Sequence, residues 1–563
     1  MRRIDRRTWL KQGGAGVVGT LLASANGISA PVGGSADLVL KNGSIVTMDE
    51  KQPLAEAMAV RSGSILAVGK EEEIQPMISS RTETVDLVGR SASPGIIDAH
   101  SHVIGFGQMD LKFVILRPPK VNSFDTLRSE LAKAAAQKPA GEWIVGRGFN
   151  TFKEGRFPRR WELDEAVPNH PTLIIHWGGQ FGVANTTALK KAGLLQASVK
   201  DPYGGKYLRD PKSGLPDGVL IHYPAIYSVY QPTLDDREQV ECAVWGLERF
   251  AGQGVTCIHD NFCNPVYAKA YVRLERAGKL PCRLRVYPYV KNLEVCKAFL
   301  EKTRGYEGRL VRMQGVKLAV DGYALMYEIP RDQAHLAIPM HPQPLFEEII
   351  ATIHKAGYQV DVHAVGDKGV DWTLAAFAKA AGSATECARR RHRIEHYPFR
   401  KMDSIQKTAE LGVPVCTQPC LIDIKADDFQ EKFGPNARSQ VDTMLPLQTF
   451  NEKGVQVCFG ADVPAFPSYS PLASIIAAME RKTESGRRLD ENEAVSFMEA
   501  LRLHTLQSAY AAFDEKDLGS LERGKCADFV VWNKDLRNIK TGQDVLGLEP
   551  VATYVSGKAV YTA

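Results

Sequence analysis

The sequence predicts an α/β chain: a (β/α)8 barrel of the TIM type, with a long insertion after its first strand and a small β-sandwich built from both termini. Three observations predict it. Through the middle of the 563 residues, short apolar runs alternate with helical periodicities, the pattern of parallel βα units. Eight such runs fall at 94–102, 255–260, 283–290, 313–321, 358–363, 392–396, 413–418 and 456–462, the number that closes a barrel. Both ends of the chain instead read as short strands joined by turns.

Taken in order, residues 1–30 read as a targeting segment and stand outside the fold. Asp5-Arg6-Arg7-Thr8-Trp9-Leu10-Lys11 precedes a mild apolar run from Gly13 to Ala25 and then small residues, the layout of an export signal of the twin-arginine type. Cleavage after Ala25 or Ala30 fits equally, and a periplasmic location follows. This segment carries most of the formal net charge of +5, so the remainder is nearly neutral and shows no basic block for nucleic acid. No apolar run approaches the length of a membrane span.

Residues 31–93 and 515–563 form the composite β-domain. Ala36–Leu40, Ser44–Met48, Ala57–Val60 and Ser64–Val68 are strand-like, with Asn42-Gly43 and Ser62-Gly63 between them as hairpin signals. Ala527–Trp532, Val551–Val555 and Lys558–Tyr561 repeat the pattern, with Ser556-Gly557 at the last turn. Residues 94–514 make the barrel, and helical patterns such as Pro344–Ala356 and Asp403–Leu411 lie between its strands. The insertion, about 103–250, contains Trp143, Phe149, Phe152, Phe157, Trp161, Trp177 and Phe181, too many apolar residues for disorder. It reads as a lid or wall over the site, although the same aromatics can fill a core of its own. The ten cysteines all follow residue 240, mostly in apolar segments; none has zinc-ribbon spacing, and they read as mostly buried thiols with at most one disulfide.

The chemistry sits at strand ends. In Ile96-Ile97-Asp98-Ala99-His100-Ser101-His102, alternate side chains of a strand share a face, so two imidazoles project together and can hold one divalent metal. Strand four carries Lys317 between Val316 and Leu318. A buried ammonium is costly unless it snorkels or pairs, with Asp321 as the nearby partner. The functional alternative is carboxylation by CO2 to a carbamate that bridges two metals. Strands five, six and eight end in His363, His396 and Asp462, and barrel geometry brings all these ends around one mouth. Such nitrogen and oxygen donors suit zinc.

His100-Ser101-His102, Gly315-Val316-Lys317, Val362-His363-Ala364-Val365-Gly366-Asp367, Arg393-Ile394-Glu395-His396 and Gly460-Ala461-Asp462 together resemble the amidohydrolase superfamily. Within it the chain resembles the branch that holds N-substituted formamide deformylase and the YtcJ-like proteins. The likeness spans nearly all of the chain after the targeting segment, including Leu518–Asp528. It implies two zinc ions, with His100 and His102 on the more buried one, His363 and His396 on the other, and carboxylated Lys317 between them. Asp462 would bind metal and serve as general base for a metal-activated water that cleaves an amide, formamide or cyclic amide. Barrels of this resemblance are often homodimers, and the substrate is a small molecule.

The chain also departs from that branch. Gly178-Gly179-Gln180 stands where relatives usually show Asp-Gly-His, His222 follows Gly218-Val219-Leu220-Ile221 where a glutamate is common, and Val463-Pro464 replaces Trp-Pro. Candidates for holding substrate are His259, Gln180, His222 and Tyr323, each of which can equally be a hydrogen-bonded core or loop residue. Ester or lactone hydrolysis and metal-assisted isomerisation suit the same site. A non-catalytic secreted binding protein is the reading from another class.

Overall fold

The computed structural model describes residues 35–150, 152–302 and 307–563; the targeting segment at 1–30 lies outside them. The fold is of the TIM-barrel type, α/β, with its parallel strands in two sheets. One holds Ile96–Ser101 (β1), Val255–Cys263 (β2) and Arg283–Pro288 (β3), with the short Val311–Met313 at its edge. The other runs in the order Gly315–Ala319 (β4), Gln359–Ala364 (β5), Arg393–His396 (β6), Val415–Thr417 (β7) and Val457–Phe459 (β8). Every neighbouring pair is parallel. All eight strands are almost wholly buried, mixing apolar residues with buried charged and imidazole side chains.

The two sheets touch at both ends. Tyr289 bridges Lys317 in parallel, and the Val290 amide donates to the Lys317 carbonyl at 3.2 Å. On the far side the Asp462 amide donates to the His100 carbonyl at 2.6 Å and the His102 amide to the Val463 carbonyl at 2.9 Å. Gly460 makes that approach feasible, because a Cβ there would lie 2.5 Å from the His100 nitrogen. Hence β8 ends at Phe459, earlier than the sequence suggests, and Asp462 sits on the loop beyond it.

The chain termini build two further sheets. Ser64–Gly69, Ala57–Arg61, Leu38–Lys41 and Glu83–Asp86 form one in that order. The second draws on both ends of the chain, placing Lys558–Thr562, Pro550–Val555 and Phe529–Trp532 beside Ser91–Pro94, Ser44–Val46 and Leu54–Ala55. Leu40, Met58 and Val60 of the first share an apolar cluster with Ile45, Phe529 and Val531 of the second.

Ser62-Gly63 and Ser556-Gly557 turn true hairpins. Asn42-Gly43 does not, which corrects the expectation from sequence. Leu38–Lys41 and Ser44–Val46 belong to different sheets, and this turn hands the chain from one to the other. Gly43 is required there for close approach, since a Cβ would meet the Arg90 carbonyl and the Leu87 Cβ at 2.4 Å.

The inserted segment has its own six-stranded sheet, with Val114–Ile115, Ile144–Phe149, Thr172–His176, Phe181–Ala184, Pro216–Ile221 and Lys206–Arg209 side by side. Its aromatics divide into two groups. Phe149 and Phe152 fill the segment's own core. Trp177 and Phe181 instead join Tyr323, Phe429 and Phe466 from the parallel-strand region, forming a wall over the strand ends. Trp161 is exposed. All ten cysteines are free thiols, nine of them buried, and no disulfide forms among the described residues.

Candidate metal centre

Three histidines around the strand ends are held by the same nitrogen, Nδ1. His100 Nδ1 donates to Glu395 Oε2, His102 Nδ1 to the Asn261 carbonyl at 2.5 Å, and His396 Nδ1 to Gln418 Oε1 at 2.6 Å. Each partner is an oxygen acceptor, so Nδ1 carries a proton and Nε2 is the nitrogen whose lone pair a bound metal would take. This is how proteins orient an imidazole that ligates metal. Nε2 of His100 and Nε2 of His102 lie 3.5 and 2.8 Å from Asp462 Oδ1. The His396 ring is centred 5.0 Å from that of His100 and 4.4 Å from that of His363. Sequence periodicity put His100 and His102 on one strand face. In fact β1 ends at Ser101, and His102 already caps the helix Val103–Lys112; the two rings meet because Asp462 draws both.

Beneath these rings lies a charged layer. Lys317, Asp361 and Arg393 are in register across β4, β5 and β6, and all three are buried. Lys317 Nζ donates to Asp361 Oδ1 at 2.7 Å, and Arg393 Nε reaches Asp361 Oδ2 at 2.9 Å and Glu395 Oε1 at 2.6 Å. Lysine, aspartate, arginine and glutamate thus alternate in sign up to His100, as buried charges must. Lys317 therefore pairs with Asp361 and not with Asp321, the partner that sequence proximity suggested. Asp321 serves the loop after β5 instead, accepting from the amides of Leu325 at 2.8 Å and Gly366 at 2.9 Å. Burial raises its carboxyl to about 6.

Electrostatics favour the ligand forms. Burial, reinforced by neighbouring cations such as Lys317, holds His100 and His363 well below the usual imidazole range, so both are neutral at pH 7. Burial alone would raise Asp462, but His100 and the hydrogen bond from His102 outweigh it and keep the carboxylate ionised. Asp98, which sequence reasoning passed over, is a brace. Its carboxylate accepts from the amides of His100 at 3.0 Å and Ala461 at 3.2 Å, fastening the end of β1 to the loop that carries Asp462. Glu395, Asp361 and Arg393 lie inside or next to the quoted motifs, and their polar character in buried strands is the available signal; Gln418, one residue beyond β7, has no motif to mark it.

A cavity of about 1110 Å³ opens onto this centre, lined by His100, His102, Lys317, His363, His396 and Asp462. Of the four substrate-binding candidates, Gln180 and Tyr323 line it, and His222 and His259 do not. The Tyr323 hydroxyl is committed to Asp428 at 2.7 Å, which leaves its ring as the surface offered. His222 is fully buried against Gly322, where a Cβ would come within 2.5 Å of its ring, and burial lowers its imidazole to about 4. His259 faces Arg393, with Nδ1 at 2.9 Å from Nη1.

The donor set fits a divalent metal. His100, His102 and Asp462 offer ligand atoms within 4.8 Å of one another, and His363 lines the same cavity with its Nε2 3.4 Å from Asp321 Oδ1. All are nitrogen and oxygen donors of the kind zinc takes. A TIM-barrel-type fold with such donors at its strand ends is that of a metal-dependent hydrolase. Comparison with known proteins narrows the class. The model of the amidohydrolase family matches residues 83–561. Protein LONG AFTER FAR-RED 3 of Arabidopsis thaliana is 30% identical over 570 residues, spanning 95% of this chain and 93% of that protein. N-substituted formamide deformylase of Arthrobacter pascens is 28% identical over 551 residues, spanning 93% and 98%. Among solved structures, an uncharacterized metal-dependent hydrolase from Pyrococcus furiosus aligns with a TM-score of 0.67 at 26% identity, covering 88% of this chain and 99% of that one. The chain belongs to the amidohydrolase family: it is a hydrolase of carbon–nitrogen bonds with a metal cofactor and a small-molecule substrate.

Proposed function

We propose that this enzyme hydrolyses a non-peptide carbon–nitrogen bond in an amide, formamide or cyclic amide, with Asp462 as general base. Two zinc ions would be held by His100, His102, His363, His396, Asp462 and a carboxylated Lys317. The observation that carries the reading is the shared orientation of His100 and His102, whose Nε2 atoms converge on Asp462 while their Nδ1 atoms are tied elsewhere. The formamide option is supported by the Arthrobacter relative, whose name gives that activity.

Zinc bound there supplies Lewis-acid polarisation of a carbonyl and lowers the pKa of water towards about 7. The chain's own residues do the rest. Asp462, ionised and flanked by two imidazoles, accepts the proton of the attacking water and returns it to the leaving amine. Asp98 and the Gly460 contact fix the position of the Asp462 loop against β1. Trp177, Tyr323 and Phe466 wall the cavity and exclude water from an apolar part of the substrate.

The same reading takes the two parallel sheets as one closed (β/α)8 barrel and the terminal sheets as one sandwich. The hydrogen bonds at Tyr289–Val290 and at His100–Val463, and the shared apolar cluster, support it. It also places the mature enzyme in a periplasm, on the strength of Arg6-Arg7 and the apolar run that follows.

A panel of N-substituted formamides, N-acyl amines, cyclic amides and esters tests the reaction. Turnover of at least one amide class is expected, and Asp462→Ala should lower its kcat by about 10²–10⁴-fold. Full turnover in that variant would remove the general base, and hydrolysis of esters alone would overturn the bond assignment.

A further inference from the structure

Arg147 is a cation of the cavity with no carboxylate partner among the described residues. It stands on the inserted strand Ile144–Phe149 and lines the cavity that holds the metal-centre residues. Two other cations in that lining are neutralised, Lys317 by Asp361 at 2.7 Å and Lys425 by Asp428 at 3.0 Å, while Lys291 is exposed to solvent. Three buried arginines elsewhere hold carboxylates: Arg283 takes Asp528, Arg285 takes Asp514, and Arg393 takes Asp361 and Glu395; buried Arg481 instead donates both Nη atoms to backbone carbonyls. No carboxylate of the described residues comes within 4.0 Å of Arg147. Its Nη2 makes only a long 3.5 Å bond to the Trp177 carbonyl, and its Nε is buried with no partner. A guanidinium partly withdrawn from water, as Arg147 is, and left without an anion is destabilising unless a ligand completes it.

The surroundings are built to receive one. Gly179, at φ +80°, lies opposite; a Cβ there would be 3.4 Å from Arg147 Nη2 and 3.6 Å from the Tyr223 hydroxyl. Because glycine leaves that space open, the guanidinium edge and the phenol face a common point. Burial raises the Tyr223 hydroxyl far above neutrality, so it is a hydrogen-bond donor at working pH. Beyond it runs an aromatic wall, Tyr223 against Phe262 at 5.1 Å and Phe262 stacked on Tyr289 at 3.9 Å. A fork of N–H donors beside a phenol and an apolar wall matches a carboxylate attached to an aryl or alkyl group.

We propose that Arg147, with Tyr223, is the carboxylate-binding site of this enzyme, and that its substrate is an amide bearing a carboxylate close to the scissile bond, of the N-acyl or N-formyl amino acid kind. The proposal rests on the hydrolase reading for the identity of the scissile bond, but the anion site stands on its own geometry.

Two measurements on the metal-loaded enzyme keep these apart. In the first, thermal unfolding is followed with 3-phenylpropanoate and with its neutral counterpart 3-phenylpropanamide. The carboxylate is expected to raise the melting temperature more than the amide in wild type, and this difference should vanish in Arg147→Met and shrink in Arg147→Lys. Equal shifts from both ligands in wild type would overturn the proposal. So would a carboxylate shift that survives in Arg147→Met, because the anion would then sit elsewhere. In the second, kcat/KM is compared for N-formylphenylalanine and N-formyl-2-phenylethylamine, which lacks the carboxylate. Wild type should prefer the acid by about 100-fold and Arg147→Met should lose that preference, with the neutral substrate little changed. Equal loss on both substrates would make Arg147 merely structural. If neither is hydrolysed while the carboxylate-dependent thermal shift persists, the anion site holds and the hydrolase reading fails.

Discussion

The imidazoles of this centre are set by what holds their far nitrogens. Glu395, Gln418 and the Asn261 carbonyl each accept from Nδ1, and that decides which lone pair faces the cavity. Glu395→Gln should therefore keep the fold but weaken metal binding by about 10–100-fold, because the amide is a poorer acceptor and can also present its donor to His100. Chelator competition measures this directly, and unchanged affinity would show that Glu395 serves only Arg393. That His100, His102, His363, His396 and Asp462 gather at one cavity was legible in the sequence, since a polar residue closing an apolar strand run is conspicuous. Their orienting partners were less so. Glu395 lies in the same motif as His396, yet serves His100 on another strand, and a backbone carbonyl such as that of Asn261 leaves no mark in a sequence. Lys317 shows the same limit. Sequence proximity pointed to Asp321, whereas lateral register across β4 and β5 pairs it with Asp361.

At the scale of elements, glycines decide where strands stop and sheets meet. Gly460 ends β8 by letting the backbone lie against His100. Gly460→Ala would push a methyl into the His100 nitrogen and Cβ, 2.5 and 2.6 Å away, with no flexible side chain to yield. Overpacking of this kind costs about 1–3 kcal/mol, and here it also displaces a ligand. Denaturant unfolding should show that loss, together with a fall in kcat larger than stability alone explains; wild-type values of both would contradict the contact. The strand pattern was read correctly from alternating apolar runs and helical periods. The Asn42-Gly43 turn was not, because a turn signal reports that the chain reverses locally and is silent about which sheet each flank joins. Aromatic content likewise located the insertion's importance without separating Phe149, which fills its own core, from Trp177, which faces the site.

Across the whole molecule, the terminal sheets are fastened to the parallel-strand region by buried ion pairs. Arg283 and Arg285 on β3 reach Asp528 and Asp514 near the return of the chain to those sheets, each through two hydrogen bonds. These partners lie more than two hundred positions apart in sequence, so nothing local announces them. The inserted sheet closes over the opposite end, bringing Arg147, Trp177 and Gln180 to the cavity that His100, Lys317, His363, His396 and Asp462 also line. The cavity thus forms where two parts of the chain meet, the inserted segment and the parallel-strand region, and the terminal sheets brace the far end.

The most direct test of that arrangement is elemental analysis of metal per chain, for the purified wild type and for Lys317→Ala. The account predicts about two zinc ions in wild type and one or none in the variant. One metal in both would contradict the carbamate bridge, leaving Lys317 as the ordinary partner of Asp361. A wild type that takes up no metal even when supplemented would contradict the metal centre itself.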